Sequence, residues 1–160
     1  MIKDKTGIKG SVRIRVWDKF GNKKYPDELV PNQVQNAGMA LCADRILKDA
    51  PGSEDGVDYI AVGTGSGQNA AATTLATEVA ASGLSRAAGT GTRTTTTVAN
   101  DTAQLVVTFT VSGTVAVTEA GIFNASSAGD MLCYDSSFST KNVESGDTLE
   151  ITWTVVFAAA

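Results

Sequence analysis

The segment "TLEITWTVVF", residues 148–157, alternates strictly, with Leu149, Ile151, Trp153, Val155 and Phe157 set against Glu150, Thr152, Thr154 and Val156. A period of two puts successive side chains on opposite faces of an extended chain, so the segment reads as a strand with one buried face. Such a strand needs neighbours, and the sequence supplies them. "SVRIRVWD" sets Val12, Ile14 and Val16 against Arg13, Arg15 and Trp17. "AQLVVTFTVSG" sets Leu105, Val107, Phe109 and Val111 against Val106, Thr108 and Thr110. "VDYIAVG", "TVAVTEAGIFNA" and "MLCYDSSF" read as further strands, and "RTTTTVA" as a polar one. Turn signals separate them: Gly21-Asn22, "NDT", "SSAGD" and "ESGD". Short strands at such intervals predict a mainly β chain, an antiparallel β-sandwich or jelly-roll-like single domain over 1–160 with one short α-helix.

Within that frame, residues 1–31 are expected to form an N-terminal hairpin or arm, and 57–157 the β-sandwich core. The helix is expected over 36–48, capped by Asn36, with Met39, Cys42 and Ile46 on one face. "TTLATEVA" is expected to add a helical turn capped by Thr73 or Thr74. Gly121, inside an apolar run, suggests a bulge or a close backbone approach.

Composition narrows function by exclusion. There is no histidine, which removes Ser-His-Asp and Cys-His nucleophile systems and most metal-ligand sets. Cys42 and Cys133 are far apart with no CxxC, so both are expected to be buried free thiols. A glycosidase would need two converging carboxylates; Glu119, Asp130, Asp135 and Glu144 are the candidates, though their neighbours are mostly turn formers. No assembled acid, base and nucleophile emerges, and the chain is expected to be no enzyme, with no catalytic residues, cofactor or metal. No apolar run of membrane-spanning length and no signal-peptide pattern is present. Aromatics make up 6% of residues, too few for an exposed sugar-stacking face.

The charge is unevenly spread. Residues 1–50 hold ten Lys/Arg and six Asp/Glu, a net of +4, and residues 51–160 hold three and eleven, a net of −8, which sum to the overall −4. An acidic total argues against nucleic-acid binding. The basic residues Arg13, Arg15, Lys19, Lys23 and Lys24 in the opening segment are candidate contacts for a negative partner surface.

"YIAVGTGSGQNAAATTLATEVA" places Gly63, Gly65 and Gly67 after a strand, the order in which proteins cradle phosphates. The spacing is G-x-G-x-G rather than G-x-G-x-x-G, and the next lysine is Lys141, so neither a dinucleotide fingerprint nor a P-loop is present. The three glycines are instead candidate contact positions on an adaptable loop.

"LVPNQVQNAGMALCADRIL", then "YIAVGTGSGQNAAATTLATEV" with Arg86 following, then "VTEAGIFNASSAGDMLCYDSSFSTKNVESGDTLEITWTVVF" occur in that order. The ordered set, spanning residues 30–157, resembles a group of tailed-bacteriophage virion structural proteins. Two of its blocks are also similar to the baseplate-attachment domain at the start of phage tail-collar fibre proteins. Fibre proteins of that kind continue into long shafts, and a chain of this length suggests a small accessory protein. The resemblance implies a capsid decoration, or cement, protein that binds and stabilises the assembled shell, or alternatively a tail, neck or baseplate adaptor of fibre-attachment type. It implies the major capsid protein or other virion proteins as partners, assembly as a trimer or dimer, and a place in the virion after assembly in the host cytoplasm. No nucleic-acid or membrane partner is expected.

Overall fold

The computed structural model describes residues 7–38, Cys42 and residues 56–158. Twelve strands run through them: β1 (Gly7–Trp17), β2 (Glu28–Pro31), β3 (Gln33–Val34), β4 (Tyr59–Gly63), β5 (Ala87–Ala88), β6 (Thr90–Thr94), β7 (Thr102–Thr110), β8 (Val115–Val117), β9 (Glu119–Phe123), β10 (Met131–Asp135), β11 (Lys141–Val143) and β12 (Thr148–Ala158). They form one five-stranded sheet in the order β2-β1-β12-β7-β6, a second in the order β3-β10-β9-β4-β5, and a two-stranded sheet of β11 and β8. Every pairing is antiparallel.

The alternating strands lie at the centre of the first sheet, where one face can be buried along their length. β12 pairs with β1 from Gly7↔Ala158 to Trp17↔Thr148, and with β7 from Thr148↔Thr110 to Val156↔Thr102. Their inward residues Val12, Ile14, Val16, Leu105, Val107, Phe109, Leu149, Ile151, Trp153 and Val155 are buried. They share one apolar cluster with Ile60, Val62, Ala120, Ile122, Leu132 and Cys133 of the second sheet. This is the expected antiparallel sandwich. Burial pushes the Cys133 thiol up to about 12 and also raises that of half-buried Cys42; both cysteines are free. Phe157 departs from the expected pattern, at 50% exposed, because the strand runs past the end of the core.

β1 and β2 pair as an antiparallel hairpin, from Ser11↔Pro31 to Ile14↔Glu28, with Gly21 in the left-handed region at φ 82°. It is built into the sandwich, since β1 lies between β2 and β12. The core therefore draws on residues well before 57. Residues 36–38 and Cys42 are helical, and the remainder of the expected helix, with Met39 and Ile46, lies outside the described residues.

Three local expectations change. "TTLATEVA" is not helical; it folds back along β4, with Glu78 bridging Gly63. "TVAVTEAGIFNA" divides at Thr118 into β8 and β9, which belong to different sheets. The polar strand lies at Thr90–Thr94, and Thr95–Asn100 form a turn wound around Asp101, whose carboxylate accepts the N–H groups of Thr96, Thr97 and Val98, each at 2.8 Å. At Gly121, an added Cβ would sit 3.0 Å from Met131 Sδ and 3.1 Å from Leu75 Cδ2, so that glycine marks a close approach. The register shift lies on the neighbouring strand between Met131 and Cys133, opposite Phe123 and Ile122.

Candidate functional site

The second sheet is covered on both faces. Its inner face meets the first sheet. Its outer face carries Ala61, Phe123, Met131 and Tyr134, packed under Leu75 of the segment that follows the glycines. That segment is held by one side chain. Glu119, the first residue of β9, is fully buried. Its Oε1 accepts from the backbone N–H of Gly65 at 3.1 Å and of Thr77 at 2.7 Å; its Oε2 accepts from the N–H of Ala76 at 3.0 Å and from the Tyr134 hydroxyl at 3.1 Å. A buried carboxylate is tolerated when charge-assisted hydrogen bonds occupy its lone pairs. Burial holds the Tyr134 phenol above its ordinary value, which keeps it a donor.

The glycine spacing now has a physical cause. A Cβ on Gly63 would collide with the Glu119 carboxylate, and one on Gly65 would lie 2.6 Å from Ala76 Cβ and 2.8 Å from Glu119 Oε1. The loop does cradle an anion, and the anion is the chain's own. Thr118 adds a bond from its hydroxyl to the Gly65 carbonyl at 2.8 Å, and Thr64 N–H donates to the Thr77 carbonyl at 2.9 Å. Gly67 is exposed, with φ 83°, and serves the turn.

Arg86 clamps the neighbouring loop. Its Nε and Nη2 donate to the two oxygens of Glu78 at 3.0 and 2.7 Å, and Nη1 donates to the carbonyls of Ala125 at 3.0 Å and Ala128 at 2.7 Å. The guanidinium stacks 3.6 Å from the centre of the Phe123 ring. Such a fork, stacked and bidentate, is specific to arginine. Together Glu119 and Arg86 tie both exposed loops of this sheet to β9.

The basic residues of the hairpin do not form one free patch. Arg15 pairs with Asp27 at 3.2 Å and Glu150 at 2.9 Å, Lys23 with Asp27 at 2.7 Å, and Lys24 with Asp147 at 2.7 Å. Arg13 and Lys19 have no ion pair among the described residues; Lys19 lies 5.4 Å from the Phe20 ring centre. On the underside, Lys141 is buried and donates to Glu28 and, at 2.6 Å, to Ser139 Oγ, fastening β2 to β11.

The four carboxylates weighed for glycoside chemistry do not converge. Asp135 pairs with Ala120, whose side chain is in the inter-sheet core, whereas Glu119 faces the outer loop. Asp135 holds the N–H and hydroxyl of Ser137, Glu144 is exposed beside Lys24 at 3.5 Å, and the Asp130 N–H is bound by Asn124. No group of three or more Cys, Asp or Glu side chains gathers to hold a metal among the described residues, and no helix among them is long and apolar enough to cross a membrane.

From the sequence alone, Glu119 reads as one of four possible acids and Arg86 as the residue that follows a glycine-loop block. A lone glutamate in the apolar run "TEAGIF", with no cation nearby in sequence, was the available signal. Such a group demands donors, and a glycine loop supplies backbone N–H groups.

The latch and clamp lie inside a stretch with a recognisable relative. The family described as podophage GP4 fiber I protein gp80 matches residues 44–156, most of the chain and all of Glu119, Arg86, Gly63 and Gly65. The chain belongs to this family. It is accordingly a bacteriophage virion structural protein. Neither the curated proteins nor the solved structures contain a match. The family match begins after β1–β3, so the strands that complete the sandwich at its N-terminal side lie outside it.

Proposed function

We propose that the protein is a non-enzymatic fibre component of the phage tail, a small attachment or adaptor domain that docks other virion proteins through its loops. The carrying observation is the fibre-family match over 44–156. The geometry agrees with it: Glu119 and Arg86 are engaged in holding loops, and fixed loops on a β scaffold are what a docking module needs. A pre-organised surface loses less entropy on binding than a mobile one. Homo-oligomerisation and contacts through the hairpin, at exposed Lys19 and half-buried Arg13, belong to the same proposal.

The test is location and copy number on purified virions, read by immuno-electron microscopy and quantitative mass spectrometry. Low copy number with label confined to the tail is expected. Label spread evenly over the head, in proportion to the capsomers, would overturn the tail reading and restore capsid decoration.

A further inference from the structure

The first sheet ends in two unlike edges. β2 is four residues long and ends at Pro31, and its Glu28 is tied to Lys141 and Ser139. Short length, proline and charge are the devices that keep an edge from pairing. β6, "TGTRT", has no proline and a single charge, Arg93, which has no ion pair among the described residues, and Thr90 through Arg93 are exposed. Among the described residues its ladder partner is β7 alone, so alternate N–H and C=O groups along its outer side lack a strand. The edge strands of the second sheet, β3 and β5, are two residues each, too short to template a pairing.

The three threonines of β6 are also placed symmetrically about Thr92. We propose that β6 is a self-pairing edge: a second copy of this chain adds its own β6 antiparallel across a two-fold axis at Thr92, joining two five-stranded sheets into one. In this register Thr90 faces Thr94 of the second copy, Thr92 faces its own equivalent, and Gly91 faces Arg93. Cross-strand Thr–Thr pairs are favourable. Gly91 leaves room for the long side chain opposite, since an added Cβ there meets no atom within 4 Å. The two Arg93 residues fall on a diagonal, ~7–8 Å apart, rather than directly opposite, where like charges repel most. The symmetric threonines give a second copy three Thr–Thr pairs at once, with glycine opposite each arginine, a match that an unrelated strand lacks. A five-residue pairing buries less than the ~800 Å² per partner of a standard interface, so the dimer is weak and reversible.

Sedimentation velocity of the full chain from about 1 μM to about 1 mM is expected to show a reversible monomer–dimer equilibrium. Thr92→Lys and Thr92→Asp each place like charges face to face on the axis and should weaken the dimer on the order of tenfold or more. Mixing the two variants should restore a dimer, identified as the heterodimer by native mass spectrometry. Thr92→Cys should cross-link under mild oxidant, because facing residues lie ~4.5–5.5 Å apart at Cα, within disulfide reach; the wild-type chain should not. A monomer across the whole range, a trimer, a dimer indifferent to charge at residue 92, or variants that mixing fails to rescue would each overturn the proposal.

Discussion

Glu119 and Glu28 are both drawn out of water in the same sandwich, and they are stabilised in opposite ways. Glu119 sits under the glycine loop with three backbone N–H groups and a phenol as donors. Glu28, at the foot of the hairpin, has the Lys141 ammonium together with the N–H and hydroxyl of Ser139. The first carboxylate organises backbone, so it dictates the path of a loop. The second neutralises a buried cation, so it fastens one strand to another. A site built on main-chain donors tolerates no compensating side-chain change, whereas a side-chain pair can be exchanged as a unit.

The largest effect should come from the latch. Glu119→Gln keeps the shape but turns an NH₂ group toward donors that previously shared an oxygen, leaving buried N–H groups unmet. A loss of about 3–4 kcal/mol in unfolding free energy is expected, read from urea titration, with protection of the Gly65 and Thr77 amides falling further than that of β12. An unchanged midpoint would mean that the loop holds its shape without the carboxylate.

Breaking the hairpin anchor should cost less. Lys141→Met removes the ammonium and leaves Glu28, whose side chain is 26% exposed, able to recruit water. About 2–3 kcal/mol is expected, and the double variant Lys141→Met/Glu28→Leu should recover much of it. No recovery would show that the pair does not act as a unit. For Arg86→Lys, a point charge cannot span Glu78, two carbonyls and a ring face at once. A loss of about 1–2 kcal/mol is expected, with amide shifts in NMR confined to residues 78–86 and 123–130 if the clamp is local.

What the sequence disclosed and what it withheld follow from range. Period-2 patterning is local, and it marked β1, β7 and β12 with the correct buried faces because each lies against the core for most of its length. It misplaced "TTLATEVA", whose composition suits a helical turn but whose Ala76 and Thr77 amides are claimed by Glu119, forty-two and more positions away. It also read "RTTTTVA" as a strand throughout, when Asp101 draws the amides of Thr96, Thr97 and Val98 into a turn. The G-x-G-x-G stretch reads from its spacing as an adaptable turn rather than a phosphate loop, yet its backbone does hold an anion. That the anion was internal could not be read from spacing, because the glutamate arrives by strand pairing: Gly63↔Glu119. Likewise the carboxylates that pair with the basic opening segment, Glu150 and Asp147 above all, come from far along the chain and are not visible in its local sequence.

The smallest effect is one of pH, and it separates the same two regions. Burial opposes ionisation of Glu28, but the hydrogen bonds from Lys141 and Ser139 outweigh it, and its carboxyl lies below its ordinary value. Asp27 is lowered by Lys23 and Arg15 despite some desolvation, and Asp18 by the Asn22 and Phe20 amides of the hairpin turn. For these groups the unfolded chain binds protons more readily than the folded one. Their contribution is therefore complete above the ordinary carboxylate value of about 4 and is lost as pH falls from there through their lowered folded values. Asp135 of the second sheet runs the other way: burial raises it, more than the Ser137 bonds lower it, so protonation relieves a cost there. Acidification from neutral pH to about 3 should then loosen β1–β2 while sparing β9–β10. Amide exchange, corrected for its intrinsic pH dependence, should show the Val12 and Leu29 region losing protection relative to Ile122 and Tyr134. Exposed pairs such as Lys23–Asp27 add little, so the difference should track Glu28 and shrink in Glu28→Gln. Protection falling in step across both sheets would mean that the hairpin opens only when the whole sandwich does.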